Sequence, residues 1–214
     1  MRAEPTSSPA APATGPVADR VIDAALACVS RVGVAKTTLD DVAKEAGCAR
    51  ATVYRCFPGR LALMRAVLDR EVNALTERVI AAADRTDALA DAVTAVIVSC
   101  AQTFNSHPAL AFVLEHEPEL VAPQLSFERG SAVIMSAGTV VAPAFARFIP
   151  ADRAERLGEW VARLTLSYLC NPIDQGHLDD PVFVRSLVDD FVLPGVTHAA
   201  NTFASASTGE GVPK

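Results

Sequence analysis

Two short amphipathic segments joined at a glycine constrain the fold of this chain more than any other feature of its sequence. The first, TLDDVAKEAG, begins at Thr38, a residue type that caps helices, and has Asp41 at its third helical position. Its apolar residues recur at helical spacing: Leu39, Val42, Ala43 and Ala46. Gly47 permits a tight turn, and a second short helix is predicted over residues 50–56.

A longer helix is predicted immediately upstream, because five apolar residues fall on one helical face: Val21, Ile22, Ala25, Leu26 and Val29. Gly33 is expected to end this helix as a left-handed cap. Three helices in this order, the last two joined by a glycine turn, match the helix-turn-helix motif. In the last of them Val53 and Phe57 are predicted to face inward. The other positions would be available to face outward: Arg50, Ala51, Thr52, Tyr54, Arg55 and Cys56.

The charge of the chain is unevenly distributed. Its net charge is −6, yet residues 19–70 carry nine Lys and Arg against six Asp and Glu, whereas residues 71–214 carry nine against eighteen. A basic module joined to an acidic body is a weak indication of nucleic-acid binding.

Cysteine usage and hydropathy argue against several other classes of protein. The five cysteines form no C-x-x-C pair, have no histidine nearby at metal spacing, and follow no secretory leader. They are expected to be reduced thiols of a cytoplasmic protein that holds no metal and no cofactor. A redox role for Cys48 and Cys56 is a weaker alternative to their being structural side chains. Because no apolar run reaches the roughly 18 residues that cross a bilayer, no membrane partner is expected.

Helical periodicity without convincing strand alternation extends over the rest of the chain, so the predicted fold class is all-α. Residues 1–16 are predicted to be a disordered arm and residues 201–214 a flexible tail. Between them we expect a helix-turn-helix domain over residues 17–62 and a larger helical domain over residues 63–200. One long helix should join the two, since apolar residues recur along it: Leu61, Met64, Leu68, Val72, Leu75 and Val79.

The helix predicted over residues 152–170 is apolar around an arc of roughly 240°, far wider than the stripe of a one-sided surface helix. Its polar side consists of Arg156, Glu159 and Arg163. Such a helix is covered from two directions, by its own core and by a second subunit. The last helix, residues 181–192, offers a similar apolar surface. A homodimer through these last two long helices is therefore expected.

The segment TTLDDVAKEAGCARATVYRCFPGRLALMRAVL resembles the DNA-binding segment of TetR-type one-component transcriptional regulators, with matching residues at matching spacings over about residues 17–68. The resemblance implies a double-stranded DNA operator as partner, dimerisation through the two final long helices, and a small-molecule pocket in the larger domain. The sequence departs from the family pattern at Ala49, where a serine often caps the recognition helix, and at Cys56, where a histidine or aromatic residue commonly meets phosphate.

Base contacts are predicted for Arg50, Ala51 and Arg55, because arginine reads guanine through two hydrogen bonds and alanine can touch a thymine methyl group. Phosphate contacts are predicted for four residues, partly from the matching family positions: Thr38, Thr52, Tyr54 and Arg60. With two recognition helices in a dimer, the operator would be an inverted repeat.

Bulky apolar residues on segments expected to converge are candidates for the pocket: Phe104, His107, Phe112, Phe127, Met135, Trp160 and Leu164. Their simplest alternative role is ordinary core packing. The low charge of these segments favours a small apolar or amphipathic ligand.

The sequence thus predicts a ligand-responsive homodimeric repressor. A dimeric DNA-binding regulator without a ligand is the first alternative. A helical enzyme is disfavoured, because no G-x-S-x-G, H-E-x-x-H or phosphate-loop motif occurs and no catalytic residue can be named.

Overall fold

The structure is a computed structural model that describes residues 15–117, 119, 132–170 and 176–195, without the side chains of residues 114, 132–137 and 170. Within these ranges the chain is helical and forms no β-strand, which confirms the all-α prediction. The helices, in chain order, are α1 (Pro16–Lys36), α2 (Leu39–Glu45), α3 (Arg50–Cys56), α4 (Arg60–Ala83), α5 (Leu89–Ser106), α6 (Pro108–His116), α7 (Ala132–Ala146), α8 (Ala151–Cys170) and α9 (Pro181–Leu187). A π-helical turn, Val188–Val192, continues α9.

The described residues form two compact units. Among the described residues, the first consists of residues 15–73, 108–117 and 119, and the second of residues 74–107, 132–170 and 176–195. This grouping differs from the division expected at residue 63, because α6 packs against α1 and the first turns of α4 share the core of the first unit.

The first unit is built around the apolar faces of α1, α2 and α3, together with the start of α4. Its most deeply buried side chains are Val21, Ala25, Val42, Val53, Phe57 and Leu63. Helix α1 does not end at Gly33 but bends there, since Gly33 has φ +84° and the helix resumes over residues 34–36. Phe112 of α6 lies so close to this bend that a β-carbon on Gly33 would come within 2.7 Å of its ring.

Helix α4 forms as one helix of 24 residues, as the sequence predicts, but a different face is buried in the first unit. Leu63 and Val67 enter the core, whereas Leu61, Leu68 and Val72 are exposed in the described chain. Two apolar stripes overlap on this helix, and sequence periodicity alone does not distinguish them.

The second unit packs α5, α7, α8 and α9 around a core that includes Val93, Ile97, Phe145, Val161 and Val184. Helices α7 and α8 meet at two glycines, where a β-carbon on Gly158 would lie 2.5 Å from the carbonyl oxygen of Gly138. Backbone therefore touches backbone at this crossing.

Helix α8 matches the predicted segment and buries Ala154, Leu157, Val161 and Thr165 against its own core. On its flank Trp160 remains 40% exposed. Among the residues described, no helix combines the length and the apolar character needed to cross a membrane.

Candidate nucleic-acid interface

The turn between α2 and α3 is set by two local features. Thr38 caps α2, because its Oγ1 accepts from the backbone N–H of Asp41 at 3.2 Å. The same hydroxyl donates to the Asp41 carboxylate at 2.6 Å, and this hydrogen bond lowers the pKa of Asp41. Gly47 adopts φ +61°, a left-handed conformation that glycine enters without steric cost, and this allows the chain to turn into α3.

Helix α3 occupies the predicted residues and presents two distinct faces. Val53 and Phe57 are fully buried, as expected. Arg50, Ala51, Tyr54 and Arg55 are exposed and Thr52 is half-buried, so these five predicted contact residues remain accessible in the first unit. Ala49 precedes the helix without a side-chain cap, which is the structural consequence of the missing serine.

Cys56 does not face outward as predicted. It is 8% exposed and belongs to the core of the first unit, because it lies three residues after Val53 and so shares the inward face of α3. Burial removes the thiol from the outer face of α3, so Cys56 is not one of the DNA-contacting residues as predicted.

Arg50 is held by contacts on both helices of the motif. Its Nη1 donates to Oδ2 of Asp40 at 2.9 Å and its Nη2 donates to the hydroxyl of Tyr54 at 3.2 Å. The guanidinium carbon also lies 5.3 Å from the centre of the Tyr54 ring. The Tyr54 hydrogen bond and the Asp40 charge raise the pKa of Arg50. Arg55, by contrast, has no ion-pair partner in the described part of the chain.

Arg60, predicted as a phosphate contact, binds the end of α1. Its Nε donates to the carbonyl oxygen of Thr37 at 2.9 Å, and its Nη2 donates to the carbonyl oxygen of Val34. Cations stabilise the carbonyl end of a helix in this way. Arg60 therefore holds the chain immediately before Thr38.

Glu117, which the sequence analysis did not identify, binds the opposite side of the same turn. Its carboxylate accepts from the backbone N–H of Val34 at 2.7 Å and from that of Ala35 at 2.9 Å, and the residue is only 7% exposed. The bend at Gly33 leaves these two N–H groups without acceptors within α1, so the carboxylate of the residue that follows α6 satisfies them. No local signal could reveal a contact between residues more than 80 positions apart.

The predicted pocket residues are divided between the two units. Phe112 belongs to the first unit, where it stacks on His116 with ring centres 4.4 Å apart. Phe104 and Leu164 are half-buried in the second unit, and His107 follows the last residue of α5. Phe127 and the side chain of Met135 lie outside the described residues.

Two open grooves mark the second unit instead. One, of about 560 Å³, has Arg78 and Arg85 on one side and Ser99 and Gln102 of α5 on the other. The second, of about 490 Å³, lies between α5 and α9. In the ranges that the structure describes, no three His, Cys, Asp or Glu side chains come together as metal ligands.

The motif geometry, with a buried inner face and two arginines on the outer face, defines a helix-turn-helix DNA-binding protein. Residues 21–67 match the family described as bacterial regulatory proteins, tetR family. Over these residues the chain carries the DNA-binding helix-turn-helix segment of TetR-type transcriptional regulators.

Two curated relatives agree with this assignment. A helix-turn-helix-type transcriptional regulator of Mycobacterium tuberculosis is 28% identical over 186 residues, which cover 86% of this chain and 87% of the relative. The regulator SrpR of Pseudomonas putida is 47% identical over 49 residues, which cover 23% of each chain.

Solved structures share the fold. The repressor AlkX from a Dietzia strain, implicated in the biodegradation of n-alkanes, superposes with a TM-score of 0.62 at 22% identity, covering 85% of this chain and 95% of that one. FadR from Bacillus subtilis, solved with stearoyl-CoA, gives a TM-score of 0.55 at 16% identity, covering 81% of this chain and 98% of FadR.

Proposed function

We propose that this regulator is a cytoplasmic homodimeric repressor that binds an inverted-repeat operator and is released by a small lipophilic or amphipathic molecule. The observation that carries the DNA-binding part is the exposed outer face of α3, with Arg50 and Arg55 on a helix whose inner face is fully buried. A rigid inner face fixes the direction of the outer side chains, as docking in the major groove requires.

In this proposal Arg50, Ala51 and Arg55 contact base edges, and phosphates are bound by the remaining polar candidates: Thr38, Thr52, Tyr54 and Arg60. Arg60 has a second role, because its hydrogen bonds to the end of α1 hold the chain that leads to Thr38. Its cation and the capped start of α2 would then meet the DNA backbone together.

Alanine substitutions of Arg50 and Arg60 should distinguish a base contact from a phosphate contact. Arg50→Ala should weaken operator binding by about 1 to 3 kcal/mol and relax the sequence preference, whereas Arg60→Ala should weaken all sequences similarly and reduce the salt dependence. Mobility-shift titrations at several salt concentrations, on a duplex selected from a random pool and on a scrambled duplex, measure both effects. Arg65→Ala, which removes an exposed arginine of α4, is the charge-matched control. Equal losses on both duplexes for Arg50→Ala would contradict the base contact.

The dimer part of the proposal is supported by the apolar residues that the second unit leaves exposed or half-buried. Trp160 and Leu164 lie one turn apart on α8, and Phe191 of the final helical segment is 70% exposed. A second subunit placed against α8 and α9 would cover them.

The ligand part is supported by the fold and by what similar proteins bind or regulate. AlkX is implicated in alkane degradation and FadR was solved with stearoyl-CoA, so we carry over an alkyl or acyl chain as the chemical class. We expect it to bind in the second unit near Phe104. Such a ligand releases DNA only to the extent that it binds more tightly to the conformation in which the two recognition helices are not spaced to fit the two half-sites.

Ligand and operator should therefore weaken each other's binding reciprocally. We expect the affinity for an effective ligand to fall about 5 to 150-fold when the protein is saturated with operator. Thermal-shift screening with stearoyl-CoA, stearate and n-alkanes identifies the ligand, and calorimetry with and without the selected duplex measures the coupling. A ligand whose affinity does not change on adding operator is not the switch, and a screen without binders would favour the ligand-free alternative.

A further inference from the structure

The ion pair between Asp40 and Arg50 joins the two helices of the DNA-binding motif. Asp40 lies in the first turn of α2 and Arg50 begins α3, and the two are linked by the 2.9 Å bond from Nη1 to Oδ2. Both side chains are about half exposed, at 58% for Arg50 and 50% for Asp40. At such exposure the pair contributes little to stability, so a stabilising role does not account for it.

A restrained arginine reads a base better than a free one. Arginine has five N–H donors, and the bonds to Asp40 and Tyr54 engage two of them, which leaves three for DNA. A long side chain that is already held in place loses less rotamer freedom when it binds. Guanine presents two acceptors, O6 and N7, which suit a guanidinium held in one orientation.

The Asp40 carboxylate also disfavours a contact between Arg50 and a DNA phosphate. A phosphate that approached Arg50 would come close to the negative charge of Asp40, whereas a guanine edge carries no net charge. The restrained orientation of Arg50 and the repulsion between Asp40 and phosphate therefore both favour contact of Arg50 with a base over contact with the DNA backbone.

We propose that Asp40 is a positioning residue that fixes Arg50 for guanine and thereby sets the sequence preference of the regulator at one base pair of each half-site. The inference rests on the proposed base contact of Arg50. The inference adds that the base contact of Arg50 depends on a carboxylate that does not itself contact DNA.

The test compares Asp40→Asn, Arg50→Ala and the double variant on the selected duplex and on three duplexes that differ only at the base pair read by Arg50. Asp40→Asn should reduce the preference for guanine at that pair by about 5-fold or more, within the discrimination that a good arginine contact provides. It should not weaken binding to scrambled DNA. In the Arg50→Ala background the same change should have no further effect on base preference, since the group that it positions is absent.

Asp69→Asn serves as the matched control, because it removes an equal charge from an exposed position on α4. It should tighten binding to all duplexes alike and leave base preference unchanged. Tyr54→Phe removes the second hydrogen bond that holds Arg50 and should reduce the guanine preference as well.

The outcomes separate this inference from the proposed function. If Arg50→Ala relaxes the preference for guanine and Asp40→Asn does not, Asp40 is not a positioning residue and the base contact stands. If Arg50→Ala has no effect on base preference, the base contact is wrong and the inference is overturned with it. If Asp40→Asn, like Asp69→Asn, tightens binding to all duplexes alike and leaves base preference unchanged, then the charge of Asp40 acts only by general repulsion of DNA. That result also overturns the inference.

Discussion

Replacing Glu117 with glutamine should lower the free energy of unfolding of the first unit by about 2 to 3 kcal/mol. The carboxylate accepts two backbone hydrogen bonds, from Val34 and Ala35, in a nearly buried position. A glutamine amide can accept only one of them and turns a donor towards the other N–H group, which is then left unsatisfied. Urea unfolding followed by far-UV circular dichroism measures the loss, and hydrogen exchange should show faster exchange at the amides of residues 34 and 35.

Glu115→Gln is the control for this prediction, because it makes the same change two residues earlier, at a solvent-exposed side chain of α6. It should alter the free energy of unfolding by no more than about 0.5 kcal/mol. Unchanged exchange at Val34 and Ala35 in Glu117→Gln would show that the two hydrogen bonds do not hold the turn. Because this turn leads to Thr38 and α2, we also expect Glu117→Gln to weaken operator binding more than Glu115→Gln does.

If the proposed dimer forms through α8 and the final helical segment, Phe191→Asp should convert it to a monomer and reduce operator affinity at least about 100-fold. A charge placed in an apolar subunit interface is costly to desolvate, and a monomer loses the gain in affinity that comes from engaging two half-sites at once. Phe191 suits this test because it is 70% exposed in the single chain, so its replacement does not disturb the core. Sedimentation velocity and mobility-shift titration measure the two effects.

The conservative variant Phe191→Leu should remain a dimer and keep most of its operator affinity. The helical content and thermal unfolding of Phe191→Asp at low concentration report whether the separated subunit is folded. A folded Phe191→Asp dimer with unchanged operator affinity would place the subunit interface elsewhere on the protein.

The helix-turn-helix motif was predictable because the residues that define it act locally. Capping by Thr38, the left-handed turn at Gly47 and the inward direction of Val53 and Phe57 each depend on neighbours within one or two turns of helix. The same reasoning placed the ends of α3 correctly. It was wrong for Cys56, which was predicted to face outward but lies three residues after Val53 and so shares the buried face of α3.

Contacts between distant segments were not predictable. Nothing near Glu117 indicates that its carboxylate binds α1, and nothing near Arg60 indicates that its guanidinium caps the same turn. The assignment of α6 to the first unit depends on the contact of Glu117 and on the fit of Phe112 against Gly33. On α4 the sequence contains two apolar stripes. Only the packed core shows that the stripe with Leu63 and Val67 is the buried one.

The contact between Gly138 and Gly158 limits how the second unit can change shape. Most helix pairs adjust to a small displacement by changing side-chain rotamers between them, but at this crossing no side chain intervenes. Sliding or rotating α7 against α8 would drive a backbone carbonyl into a backbone α-carbon. The two helices therefore move as a single piece at this point.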